Sequence, residues 1–111
     1  MLSFAPTTRV FVARGATDLR RSFDRLAAMA TEVLGEDPFS GHLFVFFNRR
    51  RDRVKLLFWE RGGFWLLCKR LERGTFAAVE RREISARDLF LVLEGIEVLR
   101  ERLRFNRTPS G

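Results

Sequence analysis

The part of the sequence that decides the fold runs from Gly41 to Gly74 and reads GHLFVFFNRRRDRVKLLFWERGGFWLLCKRLERG. Three short runs rich in Phe, Trp, Val and Leu are separated here by two polar clusters, at 48–52 and 60–63. Such runs, bounded by such clusters, are typical of consecutive antiparallel strands joined by hairpin turns. The pattern therefore predicts a three-stranded meander. Its strands would be His42–Phe47, Arg53–Trp59 and Phe64–Arg70.

The positive charge of the chain is concentrated in the same part of the sequence. Between His42 and Arg73 there are nine basic and three acidic residues, whereas the other 79 residues carry twelve basic and eleven acidic ones. In a meander the first turn and the exit of the third strand share one end of the sheet, so their basic residues should converge. A like-charged cluster repels itself unless a polyanion or an acidic partner neutralises it.

This convergence predicts a nucleic-acid-binding site at one end of the sheet. The alternative is a solvated basic turn that only keeps the protein in solution. The predicted site residues are Arg49, Arg50, Arg51, Arg53, Lys55, Lys69, Arg70 and Arg73.

Strand register decides which side chains share a face of the sheet. With Phe47 opposite Arg53 and Trp59 opposite Phe64, alternation predicts one core face and one face of mixed apolar and cationic groups. On the mixed face, Phe47, Trp59 and Phe64 could stack on bases or contact a partner protein, or they could simply be core residues. A slip of one residue in either hairpin would exchange the faces. The predicted core face carries Phe44, Phe46, Val54, Leu56, Phe58, Trp65 and Leu67.

Upstream of the meander the sequence predicts a strand and a helix. Arg9–Ala13 is a short β-favouring run that would add an N-terminal strand to the sheet. From Asp18 onward, apolar residues recur every three or four positions, which is typical of an amphipathic helix. Thr17 or Asp18 would be its N-cap, and Gly35 and Pro38 would end it. The apolar stripe consists of Leu19, Phe23, Leu26, Ala30, Val33 and Leu34.

Downstream of the meander the sequence predicts a second amphipathic helix. Residues 74–80 could form one more short strand or an extended loop, and Ser85 followed by Asp88 resembles a capping box that opens the helix. Its apolar side would carry Leu89, Val92, Leu93, Ile96, Leu99 and Leu103. The order βαβββα predicts an α+β fold. The meander and one short N-terminal strand would form a small antiparallel sheet packed with two amphipathic helices.

Length and composition predict one cytoplasmic domain. The 111 residues suit a single domain, with a folded core at 9–104 and a frayed tail at 105–111. No apolar run approaches the roughly 18 residues needed to cross a bilayer, and the first residues lack the pattern of a secretion signal. Cys68 is the single cysteine, so no internal disulfide can form and a reducing compartment is expected. A net charge of +7 with a pI near 11.3 predicts a nucleic-acid partner.

Residues for catalysis, metal binding or cofactor binding are sparse. One His and one Cys cannot form a zinc site, and the chain offers no pair of histidines for an acid–base relay. We therefore predict no catalytic residues, no metal and no cofactor. A small basic ribonuclease that uses Arg and Lys alone is the enzyme class left open.

Several segments resemble one known family. The chain closely resembles the TnpB accessory proteins, also called Orf2-like, of the IS-sixty-six type of bacterial insertion sequence. These proteins are distinct from the RNA-guided nucleases that share the TnpB name. The segments that carry the resemblance are Gly15–Arg20 (GATDLR), Asp37–Phe46 (DPFSGHLFVF), Asn48–Leu57 (NRRRDRVKLL), Lys69–Gly74 (KRLERG) and Leu93–Ile96 (LEGI).

The resemblance implies a small accessory protein encoded beside a larger transposase that carries the catalytic acidic residues. A non-catalytic role in transposition is therefore expected, with DNA and the transposase of the same element as partners and a homo-oligomer as a further possibility. The resemblance also implies a place in the bacterial cytoplasm, in association with the nucleoid. Two versions remain open. In one the basic residues bind nucleic acid, and in the other the chain binds only protein in the transposition complex.

Overall fold

The computed structural model describes residues 4–94, which form a mixed five-stranded sheet and two helices. The predicted α+β fold is confirmed. None of the helices in this part of the chain is both long and apolar enough to span a membrane. The elements in chain order are β1 (Val10–Val12), α1 (Phe23–Glu32), β2 (Leu43–Phe47), β3 (Arg53–Glu60), β4 (Gly63–Arg70), β5 (Glu83–Ile84) and α2 (Ala86–Glu94).

The predicted meander is present as β2, β3 and β4, which pair antiparallel in this order. In the second hairpin Trp59 lies opposite Phe64, as predicted, and the pairing extends to Glu60 opposite Gly63. The turn therefore has only two central residues, Arg61 and Gly62, and both have positive φ (47° and 86°). Positive φ at both central positions is the requirement of the type I′ turn, whose twist matches that of the flanking strands.

The predicted register of the first hairpin is wrong by one residue, because Phe47 lies opposite Val54 rather than Arg53. The side chain of Asn48 explains the longer loop. Its Oδ1 accepts hydrogen bonds from the backbone N–H groups of Asp52 (3.1 Å) and Arg53 (3.0 Å). Its Nδ2 donates to Asp52 Oδ1 at 2.6 Å. One amide thus satisfies three groups of the loop and stabilises a connection longer than the predicted one.

This slip exchanges the faces of β2 relative to β3 and β4, and the centre of the sheet is buried on both sides. All five residues of β2 are buried, so the sheet has a core on each face. No residue of the edge strand β4 is buried, and Trp65, which was predicted in the core, is 49% exposed. The core on the α1 side consists of Phe11, Ala13, Leu26, Ala30, Leu34, Phe44, Phe46 and Leu57. The core on the α2 side consists of Val10, Val12, Leu43, Val45, Phe47, Val54, Leu56, Phe58, Phe76, Leu89 and Val92.

The predicted N-terminal strand exists, but β1 pairs parallel to β2 rather than antiparallel. The chain passes through α1 between these two strands, and a crossover of this kind is how parallel neighbours are connected. A short strand near the second helix, β5, then pairs antiparallel with β1 at the edge of the sheet. It lies at Glu83–Ile84, whereas residues 74–80 form no regular strand. The strand order is β4-β3-β2-β1-β5.

The helix starts were predicted with mixed success. Ser22 is the N-cap position of α1, so the predicted cap at Thr17 or Asp18 is wrong. The Asp18 carboxylate instead accepts a hydrogen bond from the backbone N–H of Arg20 (3.1 Å), which forms a local turn before the helix. At α2 the Ser85 hydroxyl accepts from the backbone N–H of Asp88 (3.0 Å), as the capping pattern predicts. The predictions for Ile96, Leu99, Leu103 and the tail at 105–111 lie outside the described residues.

Candidate nucleic-acid interface

The first hairpin turn and the exit of β4 meet at one end of the sheet. Arg53 and Arg70 are direct partners across β3 and β4. Beyond the strands, the backbone N–H of Leu71 donates to the carbonyl of Asp52 (2.8 Å), and that of Phe76 donates to the carbonyl of Arg51. Residues 71–76 therefore run along the turn. We call the exposed arginines gathered here the cationic end, which consists of Arg49, Arg50, Arg53, Arg70 and Arg73.

The cationic end is poorly neutralised by the protein itself. Arg70 Nε is paired with Glu72 Oε2 at 2.9 Å. The other four arginines form no salt bridge within residues 4–94. Asp52, the carboxylate in the turn, is held by Asn48, and this hydrogen bond is the main reason that its pKa is lowered. Like charges directly opposite each other in a sheet are destabilising. This end of the molecule is therefore suited to an external anion.

Arg51 has a different role from its neighbours in the turn. Its Nη2 donates to the carbonyl of Ala77 (2.7 Å) and its Nε to that of Phe76 (3.2 Å), while the guanidinium lies 4.2 Å from the centroid of the Phe47 ring. Burial lowers the pKa of this guanidinium. Arg51 thus fastens the segment after β4 to the first hairpin, and its donors point inward.

The two predicted lysines lie on opposite faces of the sheet. Lys55 Nζ donates to the carbonyl of Arg21 (3.1 Å), just before α1. Lys69 Nζ donates to the carbonyl of Leu93 (2.6 Å) in α2. Lys55 therefore lies on the α1 side of the sheet, whereas the ammonium of Lys69 is bound on the α2 side.

A cleft of about 510 Å³ opens between the segment before α1 and the adjoining ends of β3 and β4. We call it the basic cleft. Arg20 is a functional candidate that sequence reasoning missed, although its segment was part of the family resemblance. The Asp18 carboxylate holds its guanidinium through two hydrogen bonds, from Nε (3.0 Å) and Nη2 (2.9 Å). The cleft is lined by Asp18, Leu19, Arg20, Arg53, Val54, Lys55, Cys68, Lys69 and Arg70.

The contact between Asp18 and Arg20 should make the stability of the fold depend on pH. The Arg20 guanidinium lowers the pKa of Asp18 to about 2. Because the pKa is lower in the folded chain, this ion pair stabilises the fold above the ordinary Asp pKa of about 4. That contribution is lost as the pH falls toward 2. We expect ¹³C NMR titration of the Asp18 carboxyl carbon to give this low pKa, and Arg20→Gln to raise it. An ordinary pKa in the unsubstituted protein would contradict the ion pair.

The predicted aromatic residues do not join the cationic end. Phe47 is buried against Phe76 in the core on the α2 side. Trp59 and Phe64 lie near the second hairpin turn, roughly 20 Å from Arg53 along β3. There they contact Phe39, with ring centroids 5.0 and 5.3 Å from that of Phe39, which is 56% exposed. Phe39, Trp59 and Phe64 are called the aromatic cluster below.

No metal site is evident between residues 4 and 94, where no three His, Cys, Asp or Glu side chains come together as possible ligands. The single histidine has a structural contact. His42 Nδ1 accepts a hydrogen bond from the backbone N–H of Arg9 (3.0 Å) and thereby connects the start of β1 to the start of β2.

Comparison with known proteins agrees with the sequence resemblance. The protein y4hO of Sinorhizobium fredii (strain NBRC 101917 / NGR234), named as uncharacterized, is 37% identical over 101 residues, with 87% of this chain and 88% of the relative covered. A second uncharacterized protein of the same strain, y4jC, is 29% identical over 106 residues, with 92% and 91% covered. No solved structure matches significantly. The family model described as IS66 Orf2 like protein matches residues 8–103, and the chain therefore belongs to this family of transposition accessory proteins.

Proposed function

We propose that this protein is a non-catalytic accessory factor that binds DNA of its insertion sequence through the cationic end. The observation that carries the proposal is the direct pairing of Arg53 with Arg70 across two strands. A sheet gains nothing by placing two guanidinium groups opposite each other, so a function for the pair is expected. A phosphate group between them would replace this repulsion with charge-assisted hydrogen bonds.

The form of the cationic end favours binding to the DNA backbone over reading of base sequence. Its arginines come from a turn and from strand ends, and the described helices α1 and α2 pack their apolar sides on the sheet. Contacts to phosphates position a protein on DNA but carry no sequence information directly. We therefore expect similar affinities for duplexes of unrelated sequence.

Salt dependence of binding tests the proposal. If the five arginines of the cationic end each contact a phosphate, log K should fall by about 4.5 units per tenfold increase in salt. Between 50 and 200 mM salt this is a loss of roughly 500-fold in affinity. The measurement is fluorescence anisotropy of a labelled duplex titrated with the protein at several salt concentrations. Absence of binding at 50 mM salt would refute the proposed function.

Arg61 offers a matched control for this measurement. It is exposed, and it lies in the turn at the other end of the sheet from the cationic end. Arg61→Asn removes one positive charge and places Asn before Gly62, a pair well suited to the positive φ values of this turn. The salt slope of this variant should equal that of the unsubstituted protein.

The aromatic cluster favours a second function, binding to the transposase of the same element. Exposed aromatic side chains are enriched at protein interfaces, and this cluster includes the half-exposed Phe39. A purely protein-binding subunit would be captured by the transposase in a pull-down and would leave labelled DNA unbound. Both functions can coexist, because the aromatic cluster and the cationic end lie at opposite ends of β3.

A further inference from the structure

We propose that the basic cleft binds a phosphate ester, one nucleotide unit of a nucleic-acid strand, and that Arg20 contacts its phosphate. The inference rests on the proposed function and deepens it, because Arg53 and Arg70 belong both to the cationic end and to the cleft. The proposal adds to the cationic end a concave binding site on the α1 side of the sheet. The segment before α1 forms part of this site.

Strand register places the cationic groups of the cleft on one face of the sheet. Arg53 lies opposite Arg70, and Lys55 lies opposite Cys68, two positions further along the same strands. Residues two apart on a strand point to the same face, so these side chains form two adjacent rows. Lys55 is shown to point to the α1 side by its hydrogen bond to the carbonyl of Arg21. The floor of the cleft is therefore cationic over two rows.

The facing wall supplies a positioned guanidinium. The side chain of Arg20 is 91% exposed, yet two hydrogen bonds to Asp18 fix its orientation. A side chain that is already ordered loses less conformational entropy when a ligand binds. Asp18 is the only carboxylate among the lining residues, against the four cations Arg20, Arg53, Lys55 and Arg70, since the ammonium of Lys69 is bound on the α2 side. The cleft thus keeps a strong positive charge after the ion pair is counted.

The size and lining of the cleft indicate a ligand larger than a bare anion. Its volume of about 510 Å³ falls in the range of small-molecule sites and greatly exceeds that of one phosphate group. Leu19 and Cys68 add apolar surface beside the cations. Apolar surface next to guanidinium groups suits the sugar and base that are attached to a phosphate.

Cys68 provides a reporter inside the cleft, since it is exposed and is the single cysteine of the chain. We would measure the rate of its alkylation by neutral iodoacetamide in the full-length protein. The added ligands are inorganic phosphate, a 5′-mononucleotide, a single-stranded oligonucleotide and a duplex. A ligand that fills the cleft should slow alkylation about tenfold at ten times its Kd. Protection at lower concentrations of oligonucleotide than of mononucleotide identifies a strand, rather than a free nucleotide, as the natural ligand.

Arg20→Gln tests the contribution of the wall, and Arg25→Gln is its control. Both positions are exposed, but Arg25 lies on α1, is paired with Glu32 and does not line the cleft. Loss of one phosphate contact should weaken binding about fivefold for the single-stranded oligonucleotide and about eightfold for the duplex at 0.1 M salt. The Arg20 variant should show this loss both in anisotropy and in protection of Cys68. The Arg25 variant should show neither.

The outcomes separate the cleft from the proposed function. If DNA binds in a salt-dependent manner, Cys68 stays fully reactive and the two variants bind equally well, the cleft proposal is wrong. The proposal that the cationic end binds DNA would then still hold. Protection of Cys68 by the mononucleotide without any binding of DNA would support the cleft and refute the proposed function. If none of the ligands slows alkylation, the cleft proposal is wrong.

Discussion

Replacing both Arg53 and Arg70 with Gln is expected to weaken binding of duplex DNA about 60-fold at 0.1 M salt, because two phosphate contacts of about 0.9 log units each are lost. The slope of log K against log salt should become shallower by about 1.8. Fluorescence anisotropy across a salt series measures both quantities. Of the substitutions considered for binding, this one has the largest expected effect, because the two side chains belong to the cationic end and to the basic cleft together.

A loss of folding would mimic this result, and the structure predicts that it does not occur. The two arginines are exposed and face each other across the strands, so removing both charges relieves a repulsion. Arg70→Gln also removes the exposed pair with Glu72, so we expect the free energy of unfolding of the double variant to change by less than about 1 kcal/mol. The charge-matched control, Arg61→Asn with Arg81→Gln, removes two exposed cations outside the site. DNA affinity that falls equally in both double variants would show that only net charge matters.

The sequence predicted the second hairpin better than the first, and the difference is local chemistry. Gly62 and its neighbour Arg61 form a two-residue turn, so the apolar runs on either side fix the register. In the first hairpin the number of loop residues depends on the three hydrogen bonds made by the Asn48 side chain. Spacing between apolar runs does not reveal such bonds, and the predicted register was short by one position.

The sequence contains an indication that β2 is buried on both faces, which was overlooked because the strand was assumed to alternate between apolar and polar sides. Leu43–Phe47 reads LFVFF, five apolar residues in succession, and all five are buried. Continuous apolar runs are typical of strands covered on both faces, as occurs when a helix crosses over to a parallel neighbour. Taking this run as an alternating strand, together with the register error, wrongly placed Leu43, Val45 and Phe47 on the same face as Arg53 and Lys55.

The candidate site could be predicted in part. The meander topology brought Arg53 and Arg70 together, because hairpins fix which strand ends meet. Arg20 could not be assigned in this way, since its distance from β3 depends on the route of the chain through β1 and the turn before α1. Arg51 could not be separated from Arg49 and Arg50 either, because the distinction arises from its contacts with Phe76 and Ala77 far along the chain.

Replacing Arg51 with Ala is expected to lower the free energy of unfolding by about 3 kcal/mol. Hydrogen bonds made by a charged group contribute about 1.5–3 kcal/mol to stability, and this contribution is lost when the charged donor is removed. The carbonyl groups of Phe76 and Ala77 would lose their donors, and the Phe47 ring would lose a cation 4.2 Å from its centroid. The cation–π contact adds about 0.5–1 kcal/mol. Urea denaturation followed by circular dichroism measures the change, with the midpoint shifted at an unchanged slope.

Arg50→Ala is the matched control, because the adjacent side chain is exposed and forms no salt bridge within residues 4–94. Its stability should change by less than about 0.5 kcal/mol, as is usual for surface positions. Its DNA affinity should fall about eightfold at 0.1 M salt, the effect of one phosphate contact. The two variants therefore have opposite expected effects. Arg51→Ala loses stability and keeps its phosphate contacts, whereas Arg50→Ala keeps its stability and loses one phosphate contact. If Arg51→Ala were as stable as Arg50→Ala and lost DNA affinity instead, its guanidinium would have to point into solvent, and the anchoring of residues 71–77 by Arg51 would be refuted.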